Sequence, residues 1–139
     1  MKERTLHNLV LVLVAFMVLT LLAFLPASNY QEGWEVPAKY KTMANPMADD
    51  EDAMEIGEEL YDQHCKSCHG KTGLGDGPKA AELDTPCGDF TTPEFQQQTD
   101  GELFYKTTFG RDDMPAFDKK IADDEERWML VVYLRSFAE

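Results

Sequence analysis

Two cysteines and a histidine stand close together in the stretch CKSCH, which contains Cys65, Cys68 and His69. The whole chain has only three cysteines and three histidines, so chance explains this cluster poorly. The C-x-x-C-H spacing is typical of c-type haem attachment, in which two thiols bind one haem covalently and the histidine binds its iron. The sequence therefore predicts one covalent haem c, with His69 as an iron ligand.

Three other chemistries also use paired cysteines. A thioredoxin-like dithiol needs a βαβ context, and the sequence around the motif does not have one. A zinc site needs a fourth ligand, for which Cys87 and His64 are the loose candidates. A disulfide between Cys65 and Cys68 leaves His69 without a role. Haem attachment is the best interpretation, and these three are its alternatives.

A second iron ligand is expected among the seven methionines. Met114 lies in an irregular polar loop beside a proline, where a thioether can be presented to iron from the side opposite His69. With both axial positions bound, the iron has no vacant position for oxygen or peroxide, so the site exchanges single electrons. The alternatives are a histidine-ligated iron and an open iron, and an open distal position would indicate a haem enzyme or a gas or redox sensor.

Helical patterns surround these residues. An acidic run precedes an apolar stripe at spacings of three and four residues between Ala53 and His64, and this pattern predicts a helix that runs directly into the cysteines. The four glycines in residues 70–77 predict a loop, and no strand precedes it as a phosphate-binding loop would require. Further helix starts are expected after Thr92, Thr99 and Asp123. The domain is therefore predicted to be all-α, with three to five helices.

The N-terminal residues 1–26 are predicted to form a transmembrane anchor. Residues 9–25 carry no charge, and this run approaches the length that a membrane-spanning helix needs. Lys2 and Arg4 precede it, while no basic residue follows until Lys39, so the positive-inside rule places the rest of the chain outside the cytoplasm. A signal peptide cleaved at Ala27 is the alternative.

Residues 27–48 are expected to be a tether, and residues 49–139 the functional domain. The tether has prolines and no helical repeat, so it is either a swinging coil or a fixed strap whose aromatic residues contact a bilayer or a partner. After Pro26 the chain holds 25 of its 26 acidic and 11 of its 13 basic residues, a net charge of −14. This charge argues against nucleic acid as a partner, and it either favours a basic docking patch on another protein or serves solubility.

Residues 50–138 resemble the class I c-type cytochromes. The resemblance rests on CKSCH, on the loop that ends in GDGP, and on the later stretches GRDDMPAF and ERWMLVVYLRSF. It implies an all-helical fold around one haem, with the first and last helices of the domain packed together. It also implies that His69 and Met114 bind the iron and that the carbonyl of Pro78 accepts a hydrogen bond from the His69 ring.

The layout of an anchor followed by a single-haem domain is similar to the single-haem subunit of alternative complex III and to membrane-tethered donors to terminal oxidases. This likeness implies an electron-transfer protein rather than an enzyme, in a bacterial respiratory or photosynthetic chain. The haem domain would lie on the periplasmic side of the cytoplasmic membrane, as a single-pass protein. Its partners would be the membrane and other redox proteins or subunits, with no small-molecule substrate and no nucleic acid. Cys87 is not required by the family pattern and is expected to be a buried thiol, an intermolecular disulfide or a ligand in another subunit.

Overall fold

Short and medium helices make up the regular structure of the chain. The computed structural model describes residues 33–138, so the predicted anchor 1–26 and the first part of the tether lie outside the described residues. None of the helices between residues 33 and 138 is both long and apolar enough to cross a membrane. The helices are α1 Ala38–Lys41, α2 Ala53–His64, α3 Lys66–His69, a 3₁₀ helix Ala80–Glu82, α4 Pro93–Gln96, α5 Asp100–Phe109 and α6 Asp124–Arg135.

The all-α prediction is confirmed for the described part of the chain, which has no strand and only one isolated β-bridge. Local side-chain caps explain where two of the helices begin. The Thr92 hydroxyl accepts a hydrogen bond from the amide of Phe95 at the start of α4. Thr99 and Glu102 form a reciprocal capping box at the start of α5, as their spacing predicts. Such caps satisfy backbone N–H groups that the helix itself leaves without partners.

The contact between α2 and α6 is the most extensive helix contact among the described residues, as the family resemblance implies. Gly57 makes it possible, because a Cβ at this position would lie 2.5 Å from the carbonyl oxygen of Met129 and 2.8 Å from the Cβ of Tyr133. Beside it, the ring of Tyr61 lies 5.3 Å from that of Tyr133. The last turns of α2 are therefore held against α6, and this fixes the direction in which the chain enters CKSCH.

The core consists of two groups of apolar side chains. One group surrounds the end of α2 and contains Tyr61, Cys65, Phe90, Phe117, Ile121, Leu130 and Leu134. The other lies between α5 and α6 and contains Leu103, Phe104, Trp128 and Val131. In this second group the rings of Phe104 and Trp128 stack at 4.0 Å, so Trp128 faces α5.

The later part of the predicted tether packs on the domain. Residues from Glu35 belong to the same compact unit as the helices. The side-chain amide of Asn45 donates a hydrogen bond to the carbonyl of Trp128 at 3.1 Å, and Gly101 lies directly against the carbonyl of Tyr40. Of the two alternatives, a swinging coil and a fixed strap, residues 35–48 therefore match the strap, because buried contacts and hydrogen bonds hold them on α5 and α6.

Candidate functional site

The CKSCH stretch forms a helical turn directly after α2. The amide of Cys65 donates to the carbonyl of Tyr61 at 2.8 Å, and the amide of His69 donates to the carbonyl of Cys65 at 2.9 Å. Helical hydrogen bonding thus continues through the motif and ends at Gly70, whose φ of 80° a side chain would disfavour. The three residues Cys65, Cys68 and His69 are therefore held on one rigid turn.

A loop formed by residues 70–79, which we call the return loop, folds back onto this turn. Its amides at Gly75, Gly77 and Lys79 donate to the carbonyls of His69, Cys68 and Ser67 at 2.9, 3.1 and 2.9 Å. These are carbonyls at the end of a helical turn, which have no partner within the helix. A Cβ on Gly77 would lie only 2.7 Å from the carbonyl oxygen of Cys68, so the approach requires glycine. The glycines predicted to form a loop therefore hold the motif in its turn.

The His69 ring lies between apolar groups. Its ring centroid is 4.4 Å from that of Phe90, and the two rings are stacked. Burial lowers the pKa of His69 to about 4, while the backbone of Cys87 acts in the opposite direction. The imidazole is therefore neutral at physiological pH, which is the form that binds a metal ion.

The Nδ1 atom of His69 is buried and makes no hydrogen bond. The bond to the Pro78 carbonyl that the resemblance implies is therefore absent in this ring orientation, and the role of Pro78 stays a prediction. A buried polar atom without a partner costs about 1–3 kcal/mol. An unpaired Nδ1 in this position fits a ring that keeps this one nitrogen for a bound group.

The Cys65 thiol is buried within the apolar group at the end of α2. Burial and the nearby Cys68 raise the pKa of Cys65 to about 12, so this sulfur is a neutral thiol at physiological pH. Zinc sites and redox-active dithiols both need thiolates. Between residues 33 and 138 no three His, Cys, Asp or Glu side chains group so as to hold a metal ion. Neither observation supports the zinc and thioredoxin-like alternatives.

Met114 lies in a tight turn that the chain closes on itself. The amide of Met114 donates to the carbonyl of Arg111 and the amide of Arg111 donates to the carbonyl of Met114, both at 2.9 Å. Within this turn Asp112 has a positive φ of 53°. The Met114 side chain packs against the same apolar group as Cys65 and Phe90. The structure therefore brings Met114 and the attachment turn to one apolar cluster, although 45 residues separate Met114 from His69 in the sequence.

One contact between loops was not predicted. The amide of Thr85 donates to a carboxylate oxygen of Asp113 at 2.8 Å, and this bond joins the segment before Cys87 to the turn that carries Met114. Cys87 itself is half-buried, burial raises its pKa, and it lines an open cavity of about 590 Å³ along residues 74–89. The sequence carries no signal for such a pairing, because Thr85 and Asp113 lie in separate irregular stretches.

These observations together test whether the residues fit a covalently bound haem. A rigid turn carries the buried thiol of Cys65, the half-buried thiol of Cys68 and the imidazole of His69, whose Nδ1 has no hydrogen-bond partner. The thioether of Met114 packs on the same apolar cluster. Thiols that form thioether bonds, an imidazole and a thioether ligand are the donor set of a c-type haem. The residues therefore fit this group.

Comparisons with known proteins agree with this donor set. The profile of a family described as cytochrome c oxidase, cbb3-type, subunit III matches residues 52–134. A chain of the reducing HAO-like protein complex from Kuenenia stuttgartiensis is 32% identical and superimposes with a TM-score of 0.58, over 64% of this chain and 45% of that one. The match thus spans less than half of that neighbour. A search of curated protein sequences found no match.

Proposed function

Because the chain belongs to the cbb3-type cytochrome c oxidase subunit III family and is a class I c-type cytochrome, we propose that it is a membrane-anchored carrier of single electrons with one haem. A cytochrome c domain implies electron transfer. The observation that carries the proposal is the convergence of the CKSCH turn and Met114 on one apolar cluster. A carrier needs both axial ligands, because a vacant iron position would admit small molecules.

In this proposal four side chains hold the haem. Cys65 and Cys68 form its covalent attachment, and His69 and Met114 are its iron ligands. When bound, the haem supplies an iron that takes up and releases one electron. The chain keeps the imidazole in place by stacking Phe90 on it, and the surrounding apolar side chains exclude water. Exclusion of water and thioether ligation both raise the reduction potential.

Replacement of Met114 tests this assignment. We expect the reduced wild-type protein not to bind carbon monoxide, and we expect Met114→Leu to bind it and to have a lower reduction potential. Met43→Leu is the matched control, because Met43 is 39% exposed and lies on the strap. Carbon monoxide binding by the wild type would indicate the alternative, a haem enzyme or a gas sensor. An unchanged spectrum and potential in Met114→Leu would show that another residue binds the iron.

The three cysteines provide a second test with an internal control. Haem staining after denaturing electrophoresis reports whether the haem is attached covalently. We expect Cys65→Ala with Cys68→Ala to lose the stain and Cys87→Ala to retain it. Loss of the stain in Cys87→Ala alone would overturn the assignment of the attachment cysteines. The ratio of iron to protein in the purified wild type tests the expected single haem.

We also propose that residues 1–26 anchor the chain in a bacterial cytoplasmic membrane, with the domain on the periplasmic side. The uncharged run 9–25 and the basic residues before it support this orientation. Redox proteins or subunits of a larger complex are the proposed partners, and the origin of the structural neighbour in a protein complex supports this. Carbonate washing and protease treatment of spheroplasts test the anchor and its orientation, and purification in mild detergent tests whether the protein arrives alone or with other subunits.

A further inference from the structure

Helices α1 and α5 together carry an exposed aromatic surface outside the proposed haem site. The rings of Tyr40 and Tyr105 lie 4.8 Å apart, and Phe109 lies 4.8 Å from Tyr105 and 5.9 Å from Tyr40. The side chain of Phe109 is 47% exposed, and that of Met43 on the strap is 39% exposed. We call these four residues the aromatic patch. Tyr40 and Tyr105 are half-buried, and a contiguous apolar patch of this kind, unlike single scattered side chains, is typical of an interaction site.

The aromatic patch is held rigidly in place. Gly101 on α5 lies directly against the carbonyl of Tyr40. A Cβ added to Gly101 would also lie only 3.1 Å from the Cβ of Met43. This close approach brings the short helix α1 onto α5 and places its tyrosine against both α5 rings. The patch is thus a fixed surface and not a set of independent exposed side chains.

Basic side chains flank the patch, although the domain as a whole is acidic. The Lys39 ammonium lies 4.8 Å from the centre of the Tyr40 ring, and Lys41 is 52% exposed and 4.0 Å from Glu102. Burial lowers the pKa of Lys106, and the nearby charges of Arg111 and Lys41 lower it further while Glu102 raises it. The two helices α1 and α5 thus contain three basic residues, Lys39, Lys41 and Lys106, and two acidic ones, Asp100 and Glu102.

We propose that the aromatic patch and its lysines lie on the surface of a bilayer that contains anionic phospholipids. Tyrosine and phenylalanine beside lysine are the side chains that occupy the boundary between headgroups and acyl chains. The position of the patch in the chain supports this occupant, since Tyr40 follows the uncharged run by only 15 residues. Fifteen residues span at most about 55 Å even when fully extended, and this limits the distance between the patch and a bilayer that holds the run.

The charge distribution determines which face turns toward the lipids. The described residues contain 23 acidic and 11 basic side chains, so an anionic bilayer repels most of the domain surface. The face with Lys39 and Lys41 offers basic side chains to anionic headgroups, and its aromatic side chains gain from leaving water. This inference rests on the membrane anchoring proposed above.

Photocrosslinking in vesicles tests the inference on the full haem-loaded chain. The vesicles contain phosphatidylcholine, phosphatidylglycerol and a trace of lipid with a diazirine near its headgroup, and mass spectrometry locates the labelled peptides. Leu74 is the matched control position, because it is apolar and 48% exposed. We expect several-fold more label on the peptide of Phe109 than on that of Leu74. We also expect the label on Phe109 to fall when Lys39→Gln with Lys41→Gln is used or phosphatidylglycerol is omitted.

A parallel carbonate wash separates this inference from the proposed anchor. Label on Phe109 in a chain that carbonate removes would support the patch and refute the anchor. A retained chain with equal label on Phe109 and Leu74 would refute the patch and leave the anchor standing. Release without label would refute both. A crosslink between two copies through Phe109 in place of lipid label would show that a second chain covers the surface and would also overturn the inference.

Discussion

The substitution Gly57→Ala tests the packing that directs α2 into the haem attachment turn. The added Cβ would lie 2.5 Å from the carbonyl oxygen of Met129, whereas a carbon and an oxygen in contact are normally about 3.3 Å apart. The two helices must therefore separate locally by about 0.8 Å. Because the obstacle is backbone oxygen and the Cβ of Tyr133, no side chain can rotate away to relieve the clash.

Two effects of this substitution oppose each other. Overpacking of a tight contact costs about 1–3 kcal/mol, and the rigid backbone obstacle places Gly57→Ala near the upper end of that range. Alanine in place of glycine within a helix returns about 1 kcal/mol. We therefore expect the free energy of unfolding to fall by about 2 kcal/mol, a decrease in Tm of about 8–16 °C for a domain of this size.

Denaturant unfolding followed by circular dichroism measures this change. Glu58→Ala is the matched control, because it lies on the same helix and is exposed, and we expect its free energy of unfolding to stay within about 0.5 kcal/mol of the wild type. A Gly57→Ala protein that is more stable than the wild type by about 1 kcal/mol would mean that helix propensity alone acts at this position. That result would refute the close contact between α2 and α6.

Three further substitutions test other parts of the structure. Burial raises the pKa of the Tyr61 phenol above its usual value, so this group contributes its full stabilisation below pH 10 and loses it as the pH rises further. Tyr61→Phe should therefore make the free energy of unfolding less dependent on pH above 10. Denaturant unfolding at a series of pH values measures this. Thr99→Ala removes the capping box of α5 and should cost about 1 kcal/mol, whereas an exposed threonine without a cap, Thr72→Ala, should cost less than about 0.5 kcal/mol. Asp113→Ala removes the acceptor of the Thr85 amide and should increase amide hydrogen exchange at Thr85, and unchanged exchange would contradict that bond.

The sequence predicted best what is decided by neighbouring residues. The apolar spacing of α2 and the threonine caps are local patterns, and the structure has them at the expected residues. The loop character of residues 70–77 was equally local. Its function was not, because the return loop acts through hydrogen bonds to carbonyls of the motif that are visible only once the chain has folded back.

The strap was the element that the sequence described least well. Its prolines and mixed composition indicate irregular chain, and they do indeed allow only the four residues of α1. Its attachment depends on Gly101 and Trp128, which follow it by more than 50 residues, so no pattern within the strap itself could reveal it. The same reasoning explains why the pairing of Thr85 with Asp113 was missed.

The burial of Cys65 limits the order of events during maturation. Only 9% of this residue is exposed once α6 has packed over the end of α2, and α6 begins 59 residues later in the chain. A modifying enzyme cannot reach a sulfur atom inside a closed core. In the proposed function, covalent attachment at Cys65 would therefore precede the arrival of the C-terminal helix, and the chain would fold around the attached group.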